Sequence, residues 1–141
     1  MAITAKQIVL WRSEVENKPG ELARILEPVA KSGTDLQIVM GYSYPGDGTR
    51  AAVEVYPISG KKTVAAAQSA GLQASSIPAL MIEGNNKAGL GHAIAKALAD
   101  AGINVNFLVA QVIGRKYAAV FGFGNDADTR KALGVIKKVA K

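Results

Sequence analysis

Apolar residues change their spacing along this chain in the same order twice, and each spacing predicts one type of element. Residues 6–15 and 77–83 are short runs of β-prone residues, which are typical of strands. After each run the apolar positions recur every three or four residues, which predicts a helix with one buried face. These positions are Leu22, Ile25, Leu26 and Val29 in the first copy and Leu90, Ile94, Ala97, Leu98 and Ala101 in the second.

The rest of each copy predicts a hairpin followed by a second helix. Gly33 and Gly102 end the first helices, because glycine tolerates the left-handed backbone that often follows a helix. The hairpins turn at Pro45-Gly46-Asp47-Gly48 and at Gly114-Arg115, both of which are strong turn signals. The expected strands are 35–43, 49–57, 104–113 and 116–123, and the expected helices are 60–71 and 126–140.

The residues repeat along with the pattern. Asn17-Lys18-Pro19-Gly20 is matched by Asn86-Lys87-Ala88-Gly89, at an offset of 86 − 17 = 69 positions. The order β-α-β-β-α, with 72–76 as a fourth strand of the first copy, is that of the split βαβ or ferredoxin-like plan. We therefore predict an α+β fold with two ferredoxin-like βαββα(β) modules in tandem, each an antiparallel sheet with helices on one face.

The predicted module ranges are 1–74 and 75–141. The second module ends with its last helix and has no fourth strand of its own. Either that sheet keeps three strands, or the N-terminal segment or a second subunit supplies the missing one.

Four segments resemble the ACT domain family: Val15–Leu22 and Gly33–Leu36 in the first copy, and Asn85–Leu90 and Ala101–Val105 in the second. With the repeat, the resemblance covers nearly the whole chain. It departs from the family at Ala88, where the family usually has proline. The resemblance implies a regulatory module that binds an amino acid or a similar metabolite at the interface between modules, through the loop before the first helix.

Carried over by position, the candidate ligand-binding residues fall in both copies. They are Asn17, Gly20, Glu21, Leu22 and Asp35, with Asn86, Gly89, Leu90 and Asn104.

The chemistry of this loop suits a free amino acid. The first N–H groups of a helix have no partner within the helix and attract a carboxylate. Asn17 and Asn86 offer a donor and an acceptor beside that position, and Asp35 and Asn104 could accept from an ammonium group. Each of these residues could equally serve only to satisfy the backbone of a turn.

The composition excludes several kinds of site. The chain has 141 residues, no cysteine and a single histidine, His92, so disulfides, thiolate nucleophiles and multi-histidine metal sites are absent. No Ser-His-Asp, Lys-Glu or paired-carboxylate grouping is visible. We therefore expect no catalytic residue, no metal and no cofactor. The N-terminus does not resemble a signal peptide and no long apolar run is present, so we expect a cytoplasmic protein without membrane association.

The net charge of +6 is concentrated near the C-terminus, where residues 115–141 carry 7 basic and 2 acidic side chains. The last helix places its basic residues in one arc, which indicates either a solvated face or contact with an acidic partner, protein or nucleic acid. RNA recognition on a ferredoxin-like sheet needs aromatic side chains for stacking, and no such signature surrounds the aromatic residues here, so nucleic acid is the less favoured partner.

The sequence thus predicts a non-catalytic regulatory protein that senses an amino acid, forms a homodimer and acts either through a partner protein or through self-assembly. The alternatives are a nucleic-acid-binding protein that uses the basic C-terminal helix and a structural oligomer without a ligand.

Overall fold

The computed structural model describes residues 3–139, which form two compact units with one four-stranded antiparallel sheet each. The elements in chain order are β1 (Ile3–Ile8), β2 (Trp11–Glu16), α1 (Glu21–Lys31), β3 (Ile38–Tyr44), β4 (Asp47–Tyr56), α2 (Lys61–Ser69), β5 (Gln73–Ala74), β6 (Ala79–Asn85), α3 (Leu90–Asp100), β7 (Phe107–Ile113), β8 (Lys116–Gly122) and α4 (Asp126–Val139). This order confirms the predicted fold class.

The first unit, residues 9–76, has the strand order β3-β4-β2-β5. The period of α1 places Ile25 and Val29 on its buried face, where both are fully inaccessible to solvent. They pack with Val15, Val53 and Val55 of the sheet. The strand expected over 72–76 is present as β5, a short pair with the start of β2.

The second unit consists of the N-terminal strand and the residues from Ile77 onward, in the order β1-β6-β8-β7. Strand β1 runs antiparallel to β6, from Ile3 opposite Gly84 to Ile8 opposite Ala79. It takes the place that β5 has in the first unit, and α4 packs over it. The N-terminal segment therefore supplies the fourth strand of this sheet.

This arrangement differs from two expectations. The run 6–15 was expected to form one strand of the first module, but it is divided between β1 and β2, with Val9 and Leu10 in between. The expected range 1–74 consequently differs from the observed unit at its N-terminal end. The reason is that the edge of β6 offers a ladder of backbone hydrogen bonds and a core site for Ile3 and Ile8, which are 9% and 3% exposed.

Both units end their first helix in the predicted way. Gly33 and Gly102 follow α1 and α3 with φ angles of 86° and 74°, in the left-handed region. Within residues 3–139, no helix is long and apolar enough to cross a membrane. The same residues contain no cluster of three or more side chains that could hold a metal ion.

Candidate functional site

The loop between β2 and α1 is shaped by one glycine. Gly20 has φ 94° and ψ −19°, a left-handed conformation that residues with a Cβ rarely adopt. An added Cβ would meet no atom within 4 Å, so the requirement for glycine comes from the backbone and not from crowding. Gly20 directly precedes the first turn of α1, where the N–H of Glu21 donates to the carbonyl of Lys18 over 3.4 Å and the N–H of Arg24 donates to the carbonyl of Gly20 over 3.0 Å.

Asn17 fixes the start of this loop to the neighbouring strand. Its backbone N–H donates to the carbonyl of Thr49 over 2.9 Å, and its side-chain Nδ2 donates to the carbonyl of Gly48 over 3.1 Å. Both acceptors belong to β4. The side-chain Oδ1 of Asn17 is thereby held as an acceptor at the mouth of the loop.

A groove of about 300 Å³ lies between this loop, the first turn of α1 and the edge strand β3. The side formed by the loop and the helix includes Asn17, Glu21 and Leu22, three of the predicted residues, and Leu22 is 47% exposed. Its remaining lining was not predicted and includes Val15, Gly41, Tyr42, Ser43, Ala51 and Val53. A groove of this size, apolar with a few convergent polar groups, is typical of a small-molecule site.

Charged groups at the groove are paired within the chain. Glu21 accepts two hydrogen bonds from Arg24, at 2.9 and 3.1 Å, and the ion pair between Lys18 and Glu16 spans 3.1 Å. The Arg24 guanidinium lowers the pKa of Glu21 from its ordinary value, so this carboxylate is ionised at neutral pH. The groove therefore has an ionised carboxylate at the first turn of the helix, and Arg24 compensates its charge.

The second unit repeats the backbone of the loop. The N–H of Asn86 donates to the carbonyl of Arg115 over 2.8 Å, and Gly89 has φ 84° before α3 begins. Leu90, however, is 1% exposed and lies in the hydrophobic core, so its side chain is not presented on the surface of the loop. At the repeat offset of 69, Leu90 corresponds to Glu21, and the counterpart of exposed Leu22 is Gly91.

The strand residues that line the groove of the first unit are also replaced by others in the second unit. Gly41 and Ser43 of β3 correspond to Ala110 and Val112 of β7 at the same offset. A groove of about 470 Å³ in the second unit lies elsewhere, over β1, β6 and β8, and includes none of Asn86, Gly89 and Leu90. The two loops have a similar backbone conformation, but different side chains surround them.

Asp35 and Asn104 lie apart from the loops of their own units. Both are exposed residues between the first helix and the following strand. In the first unit, Glu16 pairs with Arg50, whereas Trp11 pairs with Val55 and the start of β3 pairs with Tyr56. Asp35 therefore lies at the Trp11 end of the sheet and Asn17 at the Glu16 end. The structure does not bring them into one site within a unit.

The opposite face of the first sheet carries a polar network across β2, β3 and β4. The Tyr44 hydroxyl donates to Glu14 Oε1 over 2.7 Å, and Arg50 forms an ion pair with the same carboxylate. The Tyr42 hydroxyl donates to Glu54 Oε2 over 2.7 Å, and Glu54 is 1% exposed. Within the described residues, Glu54 Oε1 is a buried side-chain oxygen without a hydrogen-bond partner. Strand β3 thus links the groove to a buried carboxylate.

This network predicts an acid-sensitive contribution to stability at Glu14. The hydrogen bond from Tyr44, followed by that from Arg50, lowers the pKa of Glu14 below its ordinary value of 4.5. Because the pKa is lower in the folded state, the stabilisation is complete above the ordinary pKa and is lost as pH falls through the folded value. In Glu14→Gln, the free energy of unfolding should therefore fall less steeply with acidification than in the wild type.

Urea unfolding followed by the fluorescence of Trp11, the single tryptophan, measures this slope. Tyr44→Phe removes the hydrogen bond that lowers the pKa of Glu14 most and should flatten the same part of the pH profile. Identical profiles for the wild type and Glu14→Gln below pH 4.5 would contradict this assignment.

No family model matches the chain, and no curated protein sequence matches it. Solved structures do match. A protein from Bacteroides thetaiotaomicron has a TM-score of 0.76 at 17% identity, over 95% of this chain and 89% of that one.

Two further matches are described as aspartate kinase chains. The structure of the aspartokinase alpha and beta subunits has a TM-score of 0.64 at 18% identity, over 99% of this chain and 97% of that one. The ligand-free regulatory subunit of aspartate kinase from Thermus thermophilus has a TM-score of 0.65 at 14% identity, with the same two coverages of 99% and 97%. The tandem ferredoxin-like fold expected from the resemblance to ACT domains is thus confirmed: this chain has the fold of aspartate kinase regulatory chains over nearly its whole length.

Proposed function

We propose that this chain is a non-catalytic regulatory protein that binds a free amino acid in the groove of the first unit. The observation that carries the proposal is the convergence of Asn17, Glu21 and Leu22 with β3 around one small groove at a helix N-terminus. The solved chains of the same fold support it, because one of them is described as a regulatory subunit in its ligand-free form.

The groove provides a complementary group for each part of an amino acid. The N–H groups that follow Gly20 at the start of α1 would receive the carboxylate. The ammonium group would donate to Asn17 Oδ1 and lie near the ionised Glu21. The side chain would pack on Val15, Ala51 and Val53, beneath the exposed Leu22. The groove volume of about 300 Å³ limits the ligand to a small molecule.

Binding should involve the first unit alone. In the second unit, the position of Glu21 holds the buried Leu90 and the position of Ser43 holds Val112, so both the charge and the polar strand edge are missing. The ligand and chain should therefore combine one to one.

We further propose that the chain acts as a homodimer that pairs through the edge strand β3. Val39 and Tyr42 of this strand are 47% and 42% exposed, and its outer edge offers unpaired backbone groups to a second copy. A copy at this edge would lie beside the groove, so ligand binding and assembly would influence one another. Sedimentation analysis with and without ligand measures this coupling.

A thermal-shift screen against the twenty amino acids tests the proposed function. Ligand at about 100 times its Kd adds about 2.7 kcal/mol to the free energy of unfolding, a clear shift for a small domain. We expect a selective shift for one amino acid or a small group of similar ones. Asn17→Ala should abolish the shift, because the side chain that fixes the loop and offers Oδ1 is removed.

Asn86→Ala is the matched control, since it alters the corresponding residue of the second loop. It should leave the shift unchanged. The absence of any shift in the folded wild-type protein would reject amino-acid sensing and favour a structural oligomer. Equal loss of the shift in both variants would reject the assignment of the groove.

A further inference from the structure

Strand β3 forms one wall of the proposed groove and, within the chain, is held to its sheet on one side only. It is an edge strand, and its neighbour in the sheet is β4. The regular pairing of the two strands ends at Ser43, because Ser43 lies opposite Ala51 whereas the next residue, Tyr44, lies opposite Asp47. The corresponding strands of the second unit, β7 and β8, pair without such a shift. The ladder of backbone hydrogen bonds is therefore interrupted next to the residues of β3 that line the groove.

Tyr42 connects this part of β3 to β4 from the face of the sheet that lies opposite the groove. Side chains alternate along a strand, so Gly41 and Ser43 lie on the helix side and Tyr42 lies on the other. The Tyr42 hydroxyl donates to Glu54 Oε2 of β4 over 2.7 Å. Burial, followed by the hydrogen bond to Glu54, raises the pKa of Tyr42, so its hydroxyl keeps the proton that it donates. One side-chain hydrogen bond thus ties the groove segment to the neighbouring strand.

The burial of Glu54 makes this hydrogen bond difficult to replace. Glu54 is 1% exposed, and its other oxygen, Oε1, has no hydrogen-bond partner within residues 3–139. Water cannot take the place of the Tyr42 hydroxyl without entering the protein, and a buried acceptor without a donor is strongly destabilising. Tyr44 differs, because it donates to Glu14, whose side chain is 42% exposed and can be solvated. Of the two tyrosines on this face, Tyr42 is therefore the one that anchors β3.

The second unit builds a similar sheet without this pair. At the repeat offset of 69, Gln111 takes the place of Tyr42. The strand register places Val120 where the first unit has Glu54. A four-stranded sheet of this kind therefore forms without the hydrogen bond. Its presence in the first unit, where β3 lines the groove, points to a role in the groove rather than in the fold.

We propose that Tyr42 is a positioning residue for the groove, because it anchors β3 to the buried Glu54. The hydrogen bond holds the edge strand close to β4, so the backbone of Gly41 and the side chain of Ser43 keep their places in the groove wall. Without this bond, β3 would move away from the loop at Asn17 and the groove would widen. The inference rests on the proposed function, and it adds that affinity depends on a residue pair on the opposite face of the sheet.

A double variant separates this role from a contribution to stability. Tyr42→Phe alone leaves Glu54 buried without its donor, so it should lower both the free energy of unfolding and the affinity. In Tyr42→Phe/Glu54→Val both partners are apolar, as Val120 is in the second unit, so the stability should return to near the wild-type value. Strand β3 stays unanchored in the double variant. Its affinity for the amino acid with the largest thermal shift, measured by isothermal titration calorimetry, should therefore fall by about tenfold or more.

Hydrogen exchange in the ligand-free protein tests the anchoring itself. The amides of residues 38–44 should exchange about tenfold faster in the double variant than in the wild type, because local opening of the edge strand becomes easier. This measurement also separates the inference from the proposed function. If the wild-type protein binds no amino acid, the proposed function fails, and faster exchange in β3 would still support the anchoring.

Tyr44→Phe is the matched control, because it removes the hydroxyl of the neighbouring tyrosine on the same face of β3. It should leave the affinity and the exchange of β3 within about twofold of the wild type, since water can solvate the exposed Glu14. The inference is overturned if the double variant binds as tightly as the wild type, if exchange in β3 is unchanged, or if Tyr44→Phe has effects of the same size.

Discussion

Deletion of residues 1–8 should unfold the second unit, although about seventy residues separate them from the rest of that unit. The deletion removes β1 and with it Ile3 and Ile8, which are 9% and 3% exposed. Burial of one isoleucine side chain contributes about 1.5–3 kcal/mol, and the whole stability of a domain is about 5–15 kcal/mol. The edge of β6 and the underside of α4 would also become exposed.

Hydrogen exchange of the backbone amides measures this effect element by element. Protection should be lost in β6, β8 and α4 and retained in β2 and β4, whose partners all lie in the first unit. A synthetic peptide of residues 1–8 should restore protection when added. Gln7→Thr, which keeps an exposed polar side chain on the same strand, is the control and should change little. Retained protection of β6 in the deletion variant would show that the second sheet is stable with three strands.

The second large effect is expected for Gly122→Ala. Gly122 lies opposite Phe107 on the β7–β8 pair, and an added Cβ would overlap the Phe107 ring. The Phe107 ring must move away from residue 122 to make room for the added methyl group. Overpacking of this kind lowers the free energy of unfolding by about 1–3 kcal/mol. Thermal or urea unfolding should show this loss, and Phe107→Ala in the same chain should recover part of it, as measured by a double-mutant cycle.

Gly134→Ala provides the opposite result as a control. Gly134 lies within α4, and an added Cβ would meet no atom within 4 Å. Alanine favours the helix over glycine, so this variant should be more stable than the wild type by about 0.5–1 kcal/mol. Similar effects of the two substitutions would mean that Phe107 does not cover Gly122 in solution.

The regular part of the fold could be predicted because it depends on local patterns. The three- and four-residue spacing from Leu22 to Val29 identifies α1, and the glycines at 33 and 102 mark the ends of the first helices. The hairpin turn at Gly114-Arg115 is likewise predicted by the residues of the turn itself. Each of these signals lies within the element that it specifies.

The origin of the fourth strand could not be decided from such signals. The run 6–15 looks continuous, and its division at Val9 and Leu10 depends on pairing with β6, which is some seventy residues away. Either the N-terminal segment or a second subunit could complete the second sheet, because each would form the same backbone hydrogen bonds with β6. Only the three-dimensional arrangement distinguishes them.

The candidate site shows the same division between local and distant information. Asn17, Glu21 and Leu22 follow from the loop itself, and they line the groove. Gly41 and Ser43 were missed, because they enter the groove through strand pairing and not through a motif. Leu90 was assigned to the loop because it follows Gly89. The repeat offset instead aligns Leu90 with Glu21, and its side chain is buried in the core.

The most direct test of the proposed groove is an NMR titration of the labelled protein with the amino acid that gives the largest thermal shift. We expect amide shift changes in residues 15–22, 41–43 and 51–53, saturating at one ligand per chain. Residues 84–91 of the second loop should remain unchanged. Shift changes centred on the second loop, or saturation at two ligands per chain, would contradict the assignment of binding to the groove of the first unit.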